Sequence, residues 1–192
     1  MKTVVFSDLH ANKQSLQDIK ATLKNADLSI FCGDILGYGE DLEECIDFIF
    51  QHVDLAVLGN HDRMSITQEN LDNQHPAVRD SIEYTRKRLS NEQILLLGSL
   101  KPEIYFENMY VTHSLGDDYL RSKKDLIRLS DHTSENIKYI FFGHTHEKVF
   151  FEHDGKIIIN PGSITKGRNG FKRGYVQIDN GEIKFIDLEE VL

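Results

Sequence analysis

The sequence predicts a mixed α/β layered fold around a central pair of sheets. Three observations predict it. Apolar strand-like runs alternate with amphipathic helical patterns through the early part of the chain. The late part reads as hairpins, with strong turns at Asp154-Gly155 and Asn180-Gly181. The 192 residues contain no linker, internal repeat or low-complexity segment, so one domain over residues 1–192 is expected, large enough to bury a core without disulfides.

Thr3 to Phe6 is β-rich and apolar and breaks at Ser7-Asp8, which reads as a strand and not a signal peptide. Leu16, Ile19, Lys20 and Leu23 follow at helical spacing. Leu28 to Cys32 is a second buried strand ending in Gly33-Asp34, and Ile35-Leu36-Gly37-Tyr38-Gly39 is a glycine-bearing loop. Asp41 is placed to cap a helix whose apolar face is Leu42, Cys45, Ile46, Ile49 and Phe50. Val53 to Leu58 is the third strand, with Gly59-Asn60-His61-Asp62 as its tail.

Residues 63–77 read as polar and irregular, broken by His75-Pro76. Helices are expected over 77–89 and 91–98, the second opened by Ser90 and Gln93 at capping-box spacing. Strands at 104–106 and 110–112 lead to His113, a helix is expected over Leu120–Leu129, and a strand from Tyr139 to Phe142 leads into Gly143-His144-Thr145-His146. The remaining strands are expected at 148–152, 156–160, 174–178 and 183–187.

The net charge of −9 argues against an extended nucleic-acid surface. No apolar run approaches the ~18 residues of a membrane span. Cys32 and Cys45 form no CxxC pair and lie among apolar neighbours, so they read as buried reduced thiols. A cytoplasmic location is the expectation.

Asp8 and His10, Asp34, Asn60 and His61, His113, and His144 and His146 each follow an apolar strand. Ligands collect at strand ends in open α/β sheets, and buried carboxylates and imidazoles need compensation. A metal cluster supplies it. Asp8, Asp34, Asn60, His10, His113, His144 and His146 form a mixed oxygen and nitrogen set without thiolates. Such a set suits Mn, Fe, Co, Ni or Zn better than Ca or Mg. It is too large for one tetrahedral ion and fits two divalent transition metal ions, with Mn the first choice.

Together, Asp8-x-His10, Gly33-Asp34, Gly59-Asn60-His61-Asp62, a lone His113 and Gly143-His144-Thr145-His146 resemble the calcineurin-like metallophosphoesterase superfamily. Asn160-Pro161-Gly162-Ser163 and Gly37-Tyr38-Gly39 are similar to its small bacterial and archaeal phosphodiesterase branch. The resemblance implies a four-layer α/β/β/α sandwich, two mixed sheets flanked by helices. It implies Asp8, His10 and His146 on one ion, Asn60, His113 and His144 on the other, and Asp34 bridging. It places His61 beside the leaving group as proton donor or transition-state stabiliser. The implied reaction is hydrolysis of a small phosphoester by metal-bound hydroxide, between ions roughly 3.5–4 Å apart.

Asp62 and Asn12 are candidates for supporting the ligands, and Asn160 to Ser163 for holding the metal loop. Arg63 and Arg168 are candidates for binding substrate phosphate, with Lys166, Lys172 and Arg173 as further cations. Tyr38 either stacks on a substrate ring or packs. His52, His75, His132 and His153 read as surface residues.

A phosphodiesterase is the leading expectation. The alternative is a phosphomonoesterase or dinucleoside polyphosphate hydrolase on the same site. Relatives of that kind carry Gly-Asp-x-x-Asp-Arg-Gly and Gly-Asn-His-Glu, whereas Gly33-Asp34 is followed by Ile35-Leu36-Gly37 and the second motif ends in Asp62. A non-catalytic metal-binding scaffold is a third possibility, weakened by the retention of His61. The expected partner is a small phosphoester, with no membrane and with a homo-oligomer left open.

Overall fold

A computed structural model describes residues 1–189. In chain order the strands are β1 (Lys2–Phe6), β2 (Leu28–Phe31), β3 (Leu55–Ala56), β4 (Glu103–Phe106), β5 (Met109–Thr112), β6 (Tyr139–Phe141), β7 (Lys148–His153), β8 (Lys156–Pro161), β9 (Gly174–Asp179) and β10 (Glu182–Asp187). The helices are α1 (Lys13–Leu23), α2 (Leu42–His52), α3 (Asn60–Ile66), α4 (Pro76–Arg86), α5 (Asn91–Gly98) and α6 (Lys123–Asp131).

The strands form two five-stranded mixed sheets, ordered β10-β9-β1-β2-β3 and β4-β5-β6-β8-β7. In the first, β1 pairs with β2 and β2 with β3 in parallel, while β9 runs antiparallel to β1 with Val176 opposite Val5. In the second, β5, β6 and β8 are parallel, and β4 and β7 close the edges antiparallel.

Strand alternation sorts the side chains into layers. Val5, Ile30, Val111, Phe141, Ile159 and Val176 meet between the sheets. Val4, Phe6 and Phe31 point the other way, onto Leu16 and Ile19 of α1 and Ile46 and Ile49 of α2. On the far side Tyr110, Ile140 and Ile158 pack against Leu126 and Leu129 of α6. The result is the expected four-layer sandwich. Burying a side chain such as Phe141 or Ile159 completely stabilises it by roughly 1.5–3 kcal/mol.

Some local expectations are corrected. The third strand shrinks to Leu55–Ala56, because Val53 ends α2 and Asp54 turns to accept hydrogen bonds from the Ser29 backbone and hydroxyl. Residues 60–66 form α3, a helix too short to show an apolar period. The helix expected at Leu120 begins at Lys123 instead, since Ser122 and Asp125 form a capping box there. Asp41 precedes α2 without capping it; its carboxylate accepts the Lys13 N–H and pairs with the Lys13 ammonium.

Candidate metal centre

The strands deliver their polar residues to one edge of the sandwich. Asp8 and His10 follow β1, Asp34 follows β2, Asn60 and His61 open α3, His113 follows β5, and His144 and His146 follow β6. Asp8, His10, Asp34, His144 and His146 all have φ between +53° and +70°. Such left-handed backbone is unfavourable for residues with a Cβ and persists where the surroundings enforce it. The loops also approach very closely. A Cβ on Gly59 would stand 2.1 Å from Asp34 Oδ1, and one on Gly143 2.1 Å from Ser7 Oγ.

The side chains converge into three buried groups, Asp8–His10–His146, His10–Asp34–His61 and Asp34–His113–His144, each with donor atoms within 4.8 Å of one another. The Nδ1–H groups of His10, His113 and His146 donate to the carbonyls of Leu36, Cys32 and Lys166 at 2.9, 2.6 and 2.9 Å. This is the arrangement of metal-binding histidines, in which the outer nitrogen fixes the tautomer and the inner one offers its lone pair. His10 Nε2 and His146 Nε2 then face each other at 3.0 Å. Two lone pairs at that distance repel unless a cation or proton lies beside them. Burial, joined by the charges of His61 and His146, pushes His10 down to about 3, which disfavours the proton.

Asp8 adds to the demand for a cation. Both of its carboxylate oxygens are buried without a hydrogen-bond partner among the described residues, and Oδ1 lies 3.2 Å from His146 Nε2. Burial opposes its ionisation most strongly, but positive charge at His146 and His113 together with the His146 hydrogen bond outweighs burial and lowers its pKa. On the other flank His113 Nε2 lies 3.0 Å from Asn60 Oδ1 and 3.4 Å from Asp34 Oδ2. Burial disfavours the His113 cation, yet the charge and hydrogen bond of Asp34, the charge of Asp8 and the hydrogen bond to Cys32 together override it and raise the imidazole to about 10. The field there is negative and attracts cations. His144 Nδ1 approaches Asn60 Oδ1 at 2.9 Å, and its Nε2 is buried without a partner among the described residues.

Asp34 stands between the clusters. Its Oδ1 accepts the His61 backbone N–H at 2.9 Å, while Oδ2 lies 3.4 Å from His113 Nε2 and 3.9 Å from His10 Nε2. Behind it, Asp62 accepts the backbone N–H groups of Asp34, Ile35, Leu36 and Gly59 at 2.9 to 3.1 Å. Burial and the Asp34 charge push Asp62 up to about 7. Donors nevertheless address both of its oxygens, and this arrangement favours the ionised form. Asp62 therefore both supports the ligands and closes the first turn of α3.

The remaining candidates separate. Asn160 Nδ2 donates to the Gly143 carbonyl and to Thr145 Oγ1, and Ser163 Oγ donates to the Asp8 carbonyl, so this motif holds two ligand loops. Asn12 caps α1 through the Ser15 N–H and makes no contact with a ligand side chain among the described hydrogen bonds. Arg63 is engaged by Glu69 and, bidentately, by Asp117. Arg173 is buried and tied to Asp18 and to the Ile164 and Glu189 carbonyls, a structural role. The half-exposed Tyr38 ring lies 4.8 Å from the rings of both His10 and His61. His52, His75 and His132 are exposed and His153 is partly covered. Tyr119, which no motif or periodicity singles out, lies over His144 with ring centroids 4.2 Å apart.

Two cavities flank the centre. One, of about 840 Å³, is bounded by Asn60, Arg63, His113 and Asp117. The other, of about 550 Å³, is bounded by His10, Tyr38, His146 and Arg168.

A profile of the calcineurin-like phosphoesterase superfamily domain matches residues 1–182. The chain belongs to that superfamily. This calcineurin-like phosphoesterase is 30% identical over 212 residues to the uncharacterized protein MJ0912 of Methanocaldococcus jannaschii, covering 94% of this chain and 83% of that one. A metallophosphoesterase from Sphaerobacter thermophilus superposes with a TM-score of 0.86 at 25% identity, over 99% of this chain and 88% of its own. An archaeal phosphodiesterase shares the fold at a TM-score of 0.59 and 20% identity, over 98% of this chain and 100% of its own. The superfamily's divalent-metal chemistry matches the buried Asp and His groups described above. Among the described residues no helix is long and apolar enough to cross a membrane.

Proposed function

We propose that this phosphoesterase is a dinuclear metal-dependent phosphodiesterase acting on a small phosphoester. Asp8, His10 and His146 would hold one divalent ion, Asn60, His113 and His144 the other, and Asp34 both. The observation that carries the metal assignment is the pair of facing Nε2 atoms beside the unpartnered Asp8 carboxylate. When bound, such ions polarise a phosphoryl oxygen and acidify water towards neutral pH.

The chain's own groups supply position and hydrogen bonds. The His61 N–H and the Asp62 carboxylate hold Asp34 at the midpoint of the donor set. His61 Nδ1 is buried without a partner among the described residues, so an unprotonated Nδ1, with the proton on Nε2, avoids stranding a buried donor. Burial lowers the His61 pKa against the opposing charge of Asp34, which favours this neutral tautomer. Nε2–H then donates to the departing oxygen and stabilises the charge that develops there. In the net reaction the oxygen of water bonds to phosphorus, the P–O ester bond breaks, and the alcohol leaves with a proton from water.

Cavities on both flanks favour a diester, since a phosphomonoester has one substituent to house and a diester two. The deciding experiment is hydrolysis of an aryl phosphodiester and its monoester by metal-stripped protein reloaded with Mn. Diester turnover above monoester turnover is expected. Monoester preference would instead assign a phosphatase, and no turnover by fully loaded protein would assign a binding scaffold.

A further inference from the structure

The cavity beside His10 and His146 differs in charge from the rest of the molecule. The chain carries a net −9, yet among the described residues this cavity is lined by Lys166 and Arg168 and by no carboxylate. On the opposite flank the cations Arg63 and Arg128 share the wall with Glu103, Asp117 and Asp131. Arg63 is already bonded to Asp117 and Glu69, and Arg128 to Asp118. Arg168 and Lys166 have no carboxylate partner among the described residues' ion pairs, and Arg168 is fixed by its backbone N–H bond to the His146 carbonyl. The Arg168 guanidinium lies beside the Tyr38 hydroxyl, and a cationic pocket without carboxylate partners among the described residues, on an acidic protein, selects for an anion.

The same cavity offers aromatic surface. Tyr38 sits at φ +61° between Gly37 and Gly39, its backbone N–H anchored to Ser81 Oγ at 3.2 Å. Its ring touches His10 and His61 yet remains 44% exposed. His75 also lines the cavity. A volume of about 550 Å³ lies within the roughly 300–1,000 Å³ typical of small-ligand pockets.

We propose that this cavity is the specificity subsite for the departing group of a phosphodiester, and that it selects a planar ring carrying a second anionic substituent. Tyr38 stacks on the ring, and Arg168, assisted by Lys166, pairs with the added anion. Contact between Tyr38 and His61 places the departing oxygen and its ring in register. This assignment rests on the phosphodiesterase reading above and adds to it the chemical class of the ester.

The test uses two chromogenic diesters that differ only in the departing ring, methyl 4-nitrophenyl phosphate and methyl 3-carboxy-4-nitrophenyl phosphate. Mn-loaded wild-type protein is expected to favour the carboxylated ester at least tenfold in kcat/KM. Arg168→Ala is expected to abolish that preference through KM, and Arg168→Lys to restore part of it. Tyr38→Ala should raise KM for both aryl esters. Metal content and thermal unfolding of each variant exclude loss of the fold as the cause. Equal kcat/KM for the two esters in the wild type, or an unchanged preference in Arg168→Ala, overturns the subsite while leaving the phosphodiesterase reading intact. Hydrolysis of neither diester by protein holding both metals overturns the phosphodiesterase reading and the subsite with it.

Discussion

The carboxylate of Asp62 accepts the backbone N–H of Asp34 at 3.0 Å and, with its other bonds, gathers the β2 loop and the start of α3 onto one side chain. Asp34 is thereby positioned from behind as well as from the front, where the His61 N–H holds Oδ1.

Asp62→Asn turns an amide NH2 towards N–H donors and leaves buried groups unsatisfied. The expected cost is about 1–3 kcal/mol of stability, with metal affinity reduced roughly 10–100-fold. Urea denaturation and metal titration read the two effects separately. Asp34→Asn is expected to weaken metal loading far more than it weakens the fold; a fully loaded, active variant would remove Asp34 from its bridging position.

His61→Ala leaves the other donors in place. Both metals should remain bound while kcat falls by roughly 10²–10³, the scale for loss of one well-placed hydrogen-bond donor. Metal analysis beside steady-state kinetics checks this, and unchanged turnover would show that His61 does not act on the departing oxygen.

Gly59→Ala is expected to be more damaging than its size suggests. The new methyl would meet Asp34 Oδ1 at 2.1 Å and the Asp34 backbone nitrogen at 2.2 Å, so the strand-end loops must separate. Gly98→Ala, whose Cβ would meet only Ile66 Cδ1 at 4.0 Å, is the control and should retain metal and stability. Thermal melts with and without Mn compare them.

Ser122→Ala removes the N-cap of α6 and should cost ~1 kcal/mol. The cost should depend on pH. Hydrogen bonds from the Ser122 hydroxyl and backbone lower the Asp125 pKa from its ordinary 3.8. A carboxyl lowered in the folded state stabilises fully above its unfolded value and loses that contribution as pH falls through the folded one. The gap between wild type and variant should therefore narrow below about pH 3.8 in denaturation series.

The candidate donor set was legible in the sequence because each member is local to a strand end. An apolar run followed by Asp8-x-His10 or Gly143-His144-Thr145-His146 announces both the strand and the turn that needs it. Residues whose roles depend on distant partners were not legible. Arg63 reads as a free phosphate binder until the fold brings Asp117 to it across 54 positions. Tyr119 lies in a polar loop with no periodicity, and its contact with His144 exists only once that loop folds back. The helix α3 was hidden for another reason: seven residues are too few to display a face, and its start is enforced by Asp62.

Each candidate ion draws donors from both sheets, Asp8 and His10 with His146 on one flank and Asn60 with His113 and His144 on the other. During synthesis, then, the first half of the chain can emerge and fold locally without completing either cluster. The sheet that carries Asp8 is itself unfinished until β9 arrives to pair with β1. A metal held by these clusters would thus be acquired by a nearly finished protein, and its identity would be set by the pool that this finished fold meets rather than by whatever is at hand while the ribosome is still working.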